Sequence, residues 1–278
     1  MAHDPYARTG FTFSLEVFKF YFALIQAVEA DSGHVQASER ETRPEPGLGG
    51  KLLWAGELDS VGRALVVAGN IAGAATLTAT ADVDAQKQAV RDGIVDFLVT
   101  SLDEALRILK NEIRKRETVA VCVGAALEAV EREMGERGVR PDLFREGVIA
   151  AAKRGNAARK SVGHPELDPM GMEALVIWRV DVSPALWLPK LDAIALNCLE
   201  ADAGFARRWI HLGPRYLGRL AHGVHLLIRD RDFAAGFAER VGERVDCGEL
   251  RFQGQVQVIY EGGIDEHNFA LPKPNLAG

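Results

Sequence analysis

Residues 50–82, GKLLWAGELDSVGRALVVAGNIAGAATLTATAD, constrain the fold more than any other stretch of the chain. They open on an apolar run, turn at Gly56 and Gly62, continue as a helix of small residues and return as a Thr-rich strand ending at Asp82. That order is the outline of a dinucleotide-binding β-α-β unit. Two strands joined through a helix pair in parallel, because only a crossover of a dozen or more residues brings the chain back to the same end of a sheet.

The alternation continues downstream. Apolar periodicity predicts a helix over 85–92, a strand over 94–99, a helix over 103–116, a strand over 119–123, a helix over 127–138 and a strand over 139–144. Ser101 and Glu104 have the S-x-x-E spacing of a capping box, an independent start signal for the third helix. Short apolar strands separated by helices predict an α/β fold: a Rossmann-like, doubly wound parallel sheet over 48–145.

An N-terminal helical arm and linker (1–47) precedes it, and a rearranged C-terminal α/β part (146–278) follows. In the arm, Leu15, Phe18, Ala23, Leu24, Ile25 and Val28 recur at helical spacing. The helix is expected over 15–28, packed on the main body or on a second copy as a homodimer. After residue 145 the pattern predicts a helix over 146–158, a loop with two prolines over 162–171 and a strand over 175–182. A helix over 191–221 broken at Gly213-Pro214 should follow, then a β-α-β-like piece (224–228, 233–241, 250–260) and an extended tail.

Composition narrows the function classes. The net charge is −6, whereas nucleic-acid binding rests on clustered cations neutralising phosphates; no nucleic-acid partner is expected. The basic patch Lys153, Arg154, Arg159 and Lys160 is read as a solvated face. The N-terminus is polar and the apolar run that follows carries Glu16, Lys19 and Glu29, so neither a signal peptide nor a membrane partner is expected. Three well-separated cysteines, Cys122, Cys198 and Cys247, point to a reducing, cytoplasmic location and to no metal.

Several short motifs occur together in a fixed order. Gly50-Lys51, Gly62, Ala64, Ala72-Gly73, Leu77 and Asp82 lead into Leu102-Asp103-Glu104-Ala105-Leu106, and then into Arg137-Gly138-Val139-Arg140-Pro141-Asp142. This order resembles the NAD-binding domain of urocanases (urocanate hydratases), over about a third of the chain. The resemblance implies a Rossmann-like fold, NAD as cofactor, a homodimer and a lyase that adds water to a small conjugated carboxylate. In that chemistry NAD⁺ acts as an electrophile rather than as a hydride carrier. The cofactor-binding residues carried over are Gly56, Ser60, Gly62, Asp82 and Gly124.

The departures are specific. The family's glycine-rich Gly-Leu-Gly-Gly-Met-Gly-Gly turn is Glu57-Leu58-Asp59-Ser60-Val61-Gly62-Arg63 here. A pyrophosphate needs close backbone N–H groups and a helix N-terminus without negative charge. Thr80 stands where a ribose-binding Glu is expected, leaving Asp82 as the nearest acid, and Gly124-Ala125-Ala126 replaces Gly-Asn-Ala.

Outside that domain the chemistry-bearing candidates are sparse. His164 and Asp168, in the proline-bounded loop, are the acid/base candidates. Arg208 and His211 belong to a segment in which Arg207, Arg215 and Arg219 could also clamp a carboxylate. His222 and His225 would share a helix face at i, i+3 if the helix ran on past Ala221, with a structural role favoured over metal binding. Cys122 reads as core.

Two functions are expected: a urocanase-like lyase with altered or lost NAD dependence, or a non-catalytic urocanase-fold protein for ligand sensing or assembly with a partner.

Overall fold

The computed structural model describes residues 5–32, 47–157, 173–260 and 263–269. They divide into two compact units, one of Leu15–Arg154 with Leu212–Leu220 and one of the other described residues. The proline loop with His164 and Asp168, and the C-terminal tail, lie outside the described residues.

Helix α1 (Pro5–Ser32) is longer than the predicted 15–28. Its Val17, Phe18, Tyr21, Leu24 and Ile25 are buried. The first unit then alternates through β1 (Leu52–Glu57), α2 (Ser60–Ala72), β2 (Ala75–Ala79), α3 (Val83–Arg91), β3 (Phe97–Val99), α4 (Leu102–Lys115), β4 (Val119–Val123), α5 (Leu127–Glu136), β5 (Leu143–Phe144) and α6 (Arg145–Ala157). The five strands form one sheet in the order β3-β4-β2-β1-β5, every pair parallel.

Every residue of β2 and β4 is buried, which a parallel strand covered on both faces requires. On one face Leu52, Trp54, Leu77 and Val121 pack with Leu102 and Leu109 of α4 and with Val130 and Met134 of α5. On the other face α2 lies so close that a Cβ on Gly69 would fall 2.7 Å from Thr76 Oγ1 and 2.8 Å from Leu53 Cδ2. Gly73, at φ +91°, ends α2 in the left-handed conformation, its N–H reaching Asn70 O and Gly69 O. Ser101 caps α4, its hydroxyl accepting from Glu104 N, as the capping-box spacing predicts.

The motifs that carry the resemblance tie this scaffold together. Asp142 accepts from Leu52 N at 2.8 Å and pairs with Lys51 at 3.2 Å, clamping the chain ahead of β5 to the start of β1. Arg137, from the same motif, pairs with Asp103 at the start of α4. Two strands are shorter than expected. Pro141 has no N–H for a ladder, so 139–144 contracts to Leu143–Phe144. Ahead of β3, Ile94 and Val95 are buried without joining the ladder.

The second unit sets the expected C-terminal β-α-β-like piece into a separate sheet. Strands β6 (Glu173–Val180), β7 (Val224–Asp230), β8 (Gly254–Tyr260) and β9 (Gly263–Phe269) form an antiparallel sheet in the order β7-β6-β8-β9. Strands β7 and β8 each run antiparallel to β6 and therefore parallel to each other, so β7, α9 (Arg231–Asp246) and β8 form the expected β-α-β crossover, split by β6 lying between its two strands. The alternating burial of β8 suits a sheet with one face covered.

Helices α7 (Pro184–Cys198) and α9 (Arg231–Asp246) pack on this sheet. Helix α8 (Gly204–Leu217) runs through Gly213-Pro214, and the break falls at 199–203 instead. There Arg207 donates to Leu199 O at 2.7 Å and Glu200 O at 2.9 Å, satisfying carbonyls at the end of α7.

Candidate functional site

In an open parallel sheet ligands bind beyond the carboxyl ends of the strands, where the strand order reverses. Here that point lies between β1 and β5. The chain leaves β1 for β2 on one side, while β5, reached from β4, lies on the other. The turn after β1 and the start of α6 after β5 therefore face the position a ligand would take.

Those two segments bond to each other. Asp59 is the N-cap of α2, and its Oδ1 accepts from Gly62 N at 2.7 Å. Arg145 donates through Nη2 to Asp59 Oδ2 at 2.7 Å and through Nη1 to Glu57 O at 2.8 Å. The Arg145 side chain is 15% exposed and that of Asp59 46%. Burial alone would raise the Asp59 carboxyl. Hydrogen bonds from Arg145 and from the backbone of Gly62 and Val61, with the Arg145 charge, outweigh it and hold the group below its ordinary value.

The turn's glycines serve the same closure. Gly56 has φ +69°, and a Cβ there would meet Arg145 Cδ at 2.9 Å. A Cβ on Gly62 would fall 1.9 Å from Glu57 O. The space a side chain would fill is taken by the protein's own backbone and guanidinium.

On α1, Glu16 lies within electrostatic reach of Asp59. Burial raises its carboxyl, Lys19 partly offsets the shift, and the charge of Asp59 adds to it. A dinucleotide's pyrophosphate does not fit this arrangement. The first-turn N–H of Gly62 is already bonded to a carboxylate, the matching cation is spent, and Glu16 and Asp59 add negative charge where phosphate would bring more.

The other carried-over positions have structural jobs. Ser60 is exposed at the first residue of α2. Asp82 caps α3, accepting from Asp84 N at 2.8 Å and Ala85 N at 3.1 Å. Thr80 is buried, and its carbonyl accepts from Gln86 Nε2 at 2.8 Å. Gly124 donates to Val99 O at 2.8 Å and lies against the Gln86 amide. Cys122 is buried in β4, and burial, with the Glu57 charge, pushes its thiol up to about 12; it is no nucleophile.

Residues 34–150 match the family model of the urocanase Rossmann-like domain. Over this stretch the chain is similar to the urocanase Rossmann-like domain. A curated relative, the S-methyl thiourocanate hydratase of a Variovorax species, is 29% identical over 109 residues, covering 39% of this chain and 20% of that protein. The chain thus spans about a fifth of the length of the relative it matches.

Outside the urocanase-like domain, Arg208 is half-buried and His211 exposed, both on α8. The expectation that His222 and His225 share a helix face is overturned. His222 occupies a left-handed turn at φ +48°, and His225 lies on β7. His225 instead joins a group no spacing announced: its Nδ1 lies 2.8 Å from Asp192 Oδ1, which also accepts from Trp178 Nε1 at 2.9 Å. Asp192 is buried, so these partners compensate a carboxylate within the fold. No group of His, Cys, Asp and Glu side chains with metal-holding geometry occurs among the described residues, and none of their helices is long and apolar enough to cross a membrane.

Arg145, Glu16 and Asp192 were the residues sequence reasoning missed. Arg145 lies three positions beyond the motif aspartate Asp142, the single signal that could have singled it out.

Proposed function

We propose that this chain uses a urocanase-like Rossmann domain as a non-catalytic scaffold, for ligand sensing or assembly with a partner, with the NAD-dependent hydration chemistry lost. The observation that carries the reading is the Asp59–Arg145 pair at 2.7 Å. It occupies the crevice between β1 and β5 with the protein's own charges. An ion pair that closes a crevice also rigidifies it, which suits a scaffold better than a site that must admit a dinucleotide.

The test is direct. Titration calorimetry of the full chain with NAD⁺ is expected to show no binding heat, and the purified protein to leave urocanate absorbance unchanged with or without added NAD⁺. Stoichiometric NAD⁺ binding, or hydration of urocanate, would overturn the reading.

The second reading, a lyase with altered cofactor dependence, draws on the likeness to a protein named as a thiourocanate hydratase. It predicts turnover of a conjugated carboxylate by a route that does not load the β1–α2 turn. Such turnover surviving Asp59→Ala would favour it.

A further inference from the structure

The second unit holds a cavity of about 220 Å³ between the end of α7, the end of β7 and the first turns of α9. Two guanidiniums, Arg229 and Arg240, and three carboxylates, Glu200, Asp230 and Asp232, line it beside the Phe233 ring. We propose that this cavity binds a small zwitterion of the amino-acid class, its carboxylate on the arginines and its ammonium on the acids. The site lies apart from the urocanase-like domain and does not rest on the reading given above.

An acceptor is called for by Arg229. Its Nε is buried with no hydrogen-bond acceptor among the described residues. Asp230 Oδ2 lies 4.0 Å away, outside hydrogen-bond reach. The other contacts of this guanidinium are loose: Nη2 to Glu200 Oε2 at 3.3 Å, with a Glu200 side chain 76% exposed, and Cζ over the Phe205 ring at 5.9 Å. A buried N–H left without a partner is costly, and a ligand carboxylate would remove that cost with a charge-assisted bond. Arg240 donates to Asn197 O at 3.0 Å and bonds the Cys198 side chain, and presents the second cation.

A cationic group is called for by the acids. Asp230, one of the lining residues, uses Oδ1 to cap α9, accepting from Phe233 N at 2.8 Å, and its Oδ2 lies 4.0 Å from Arg229 Nε. Three carboxylates against two guanidiniums leave the lining with an excess negative charge. A simple anion would add to that excess, and a simple cation would leave Arg229 Nε unpaired. A molecule carrying both charges satisfies both sets. Size agrees, since the cavity is smaller than the roughly 300–1,000 Å³ of drug-sized sites.

The test is titration calorimetry of the full chain against each common amino acid at millimolar concentration. Each is matched to its des-amino carboxylate and its decarboxylated amine at constant ionic strength. At least one amino acid is expected to bind with single-site stoichiometry, and both truncated analogues at least about tenfold more weakly, a difference of about 1.4 kcal/mol. Arg229→Met should abolish binding. Because Arg229 is partly buried, Arg240→Gln and Asp232→Asn at exposed positions provide variants whose folding is not in question, and each should weaken binding about tenfold. No binding by any amino acid, equal binding of the des-amino carboxylate, or full affinity in Arg240→Gln and Asp232→Asn would each overturn the proposal.

Discussion

The two units of this protein show what happens when a sheet is closed on both faces and when it is not. In the urocanase-like unit β2 and β4 are buried at every position, the hydroxyls of Thr76 and Thr78 included, and charged groups such as Asp59, Asp82 and Arg145 lie beyond the strand ends, where they cap helices or bond to one another. In the antiparallel unit burial alternates along β8, and a buried polar group, Asp192 with Trp178 and His225, sits within the packing itself. The first unit spends its charges on closing a crevice, while the second leaves a guanidinium N–H unsatisfied beside a cavity.

The sharpest way to break this comparison is at the backbone. A Cβ on Gly62 would fall 1.9 Å from Glu57 O, and one on Gly254 would fall 2.0 Å from Arg179 O. Neither neighbour is a flexible side-chain end, so Gly62→Ala and Gly254→Ala should each destabilise by about 3 kcal/mol, the upper end of overpacking costs. Denaturant unfolding read separately at Trp54 and at Trp178 checks that each change acts on its own unit. Equal loss at both tryptophans from either change would mean that the two unfold as one.

Next in size is Asp192→Ala, which leaves the Trp178 and His225 donors buried without their acceptor at about 1–3 kcal/mol each. Asp192→Asn keeps an acceptor oxygen and should restore more than half of the loss. Thermal unfolding of the pair gives the answer, and no difference between Ala and Asn would show that the oxygen is not what matters.

Asp59→Ala removes an N-cap and strands Arg145, and should cost about 1–2 kcal/mol at neutral pH. The sign of its pH dependence is fixed. Asp59 is held below its ordinary value in the fold, so its contribution is full above that value and is lost as pH falls through the lowered one. Wild type and variant should therefore converge in acid. A gap that widens in acid would contradict the pairing with Arg145.

Glu16→Gln should act in the opposite direction and more weakly. Its carboxyl is raised, chiefly by burial, so the folded state holds the proton more tightly than the unfolded chain and stability falls as pH rises through that interval. The amide should stabilise at neutral pH by less than about 1 kcal/mol and make no difference below the ordinary Glu range. The smallest effect concerns thiols. Exposed Cys247 should react with a maleimide promptly, and buried Cys122 only on unfolding.

Much of the first unit was legible in sequence because its signals are local. The small-residue helix ending at Gly73, the Ser101 cap and the unbroken apolar strands each act within a few residues of chain. The motifs behind the urocanase resemblance were legible too, yet Asp103 with Arg137 and Lys51 with Asp142 prove to be ties between distant elements. In the antiparallel unit the β-α-β piece over 224–260 was legible, but the insertion of β6 between its two strands was not, because that pairing is long-range. Nothing near residues 224–260 tells a strand that its partner is β6 rather than its neighbour in the chain.

By itself, then, the sequence determined that residues 50–123 alternate strand and helix, that the sheet is parallel and that the β1–α2 turn carries two acids where a phosphate site would carry glycines. Tertiary structure alone decided what those acids do. Asp59 meets Arg145 across 86 positions of chain, and Glu16 of α1 comes within electrostatic reach of Asp59. Charges so far apart in sequence meet only once the strand order is set, and that order decides whether a crevice beyond the strands receives a ligand or closes on itself.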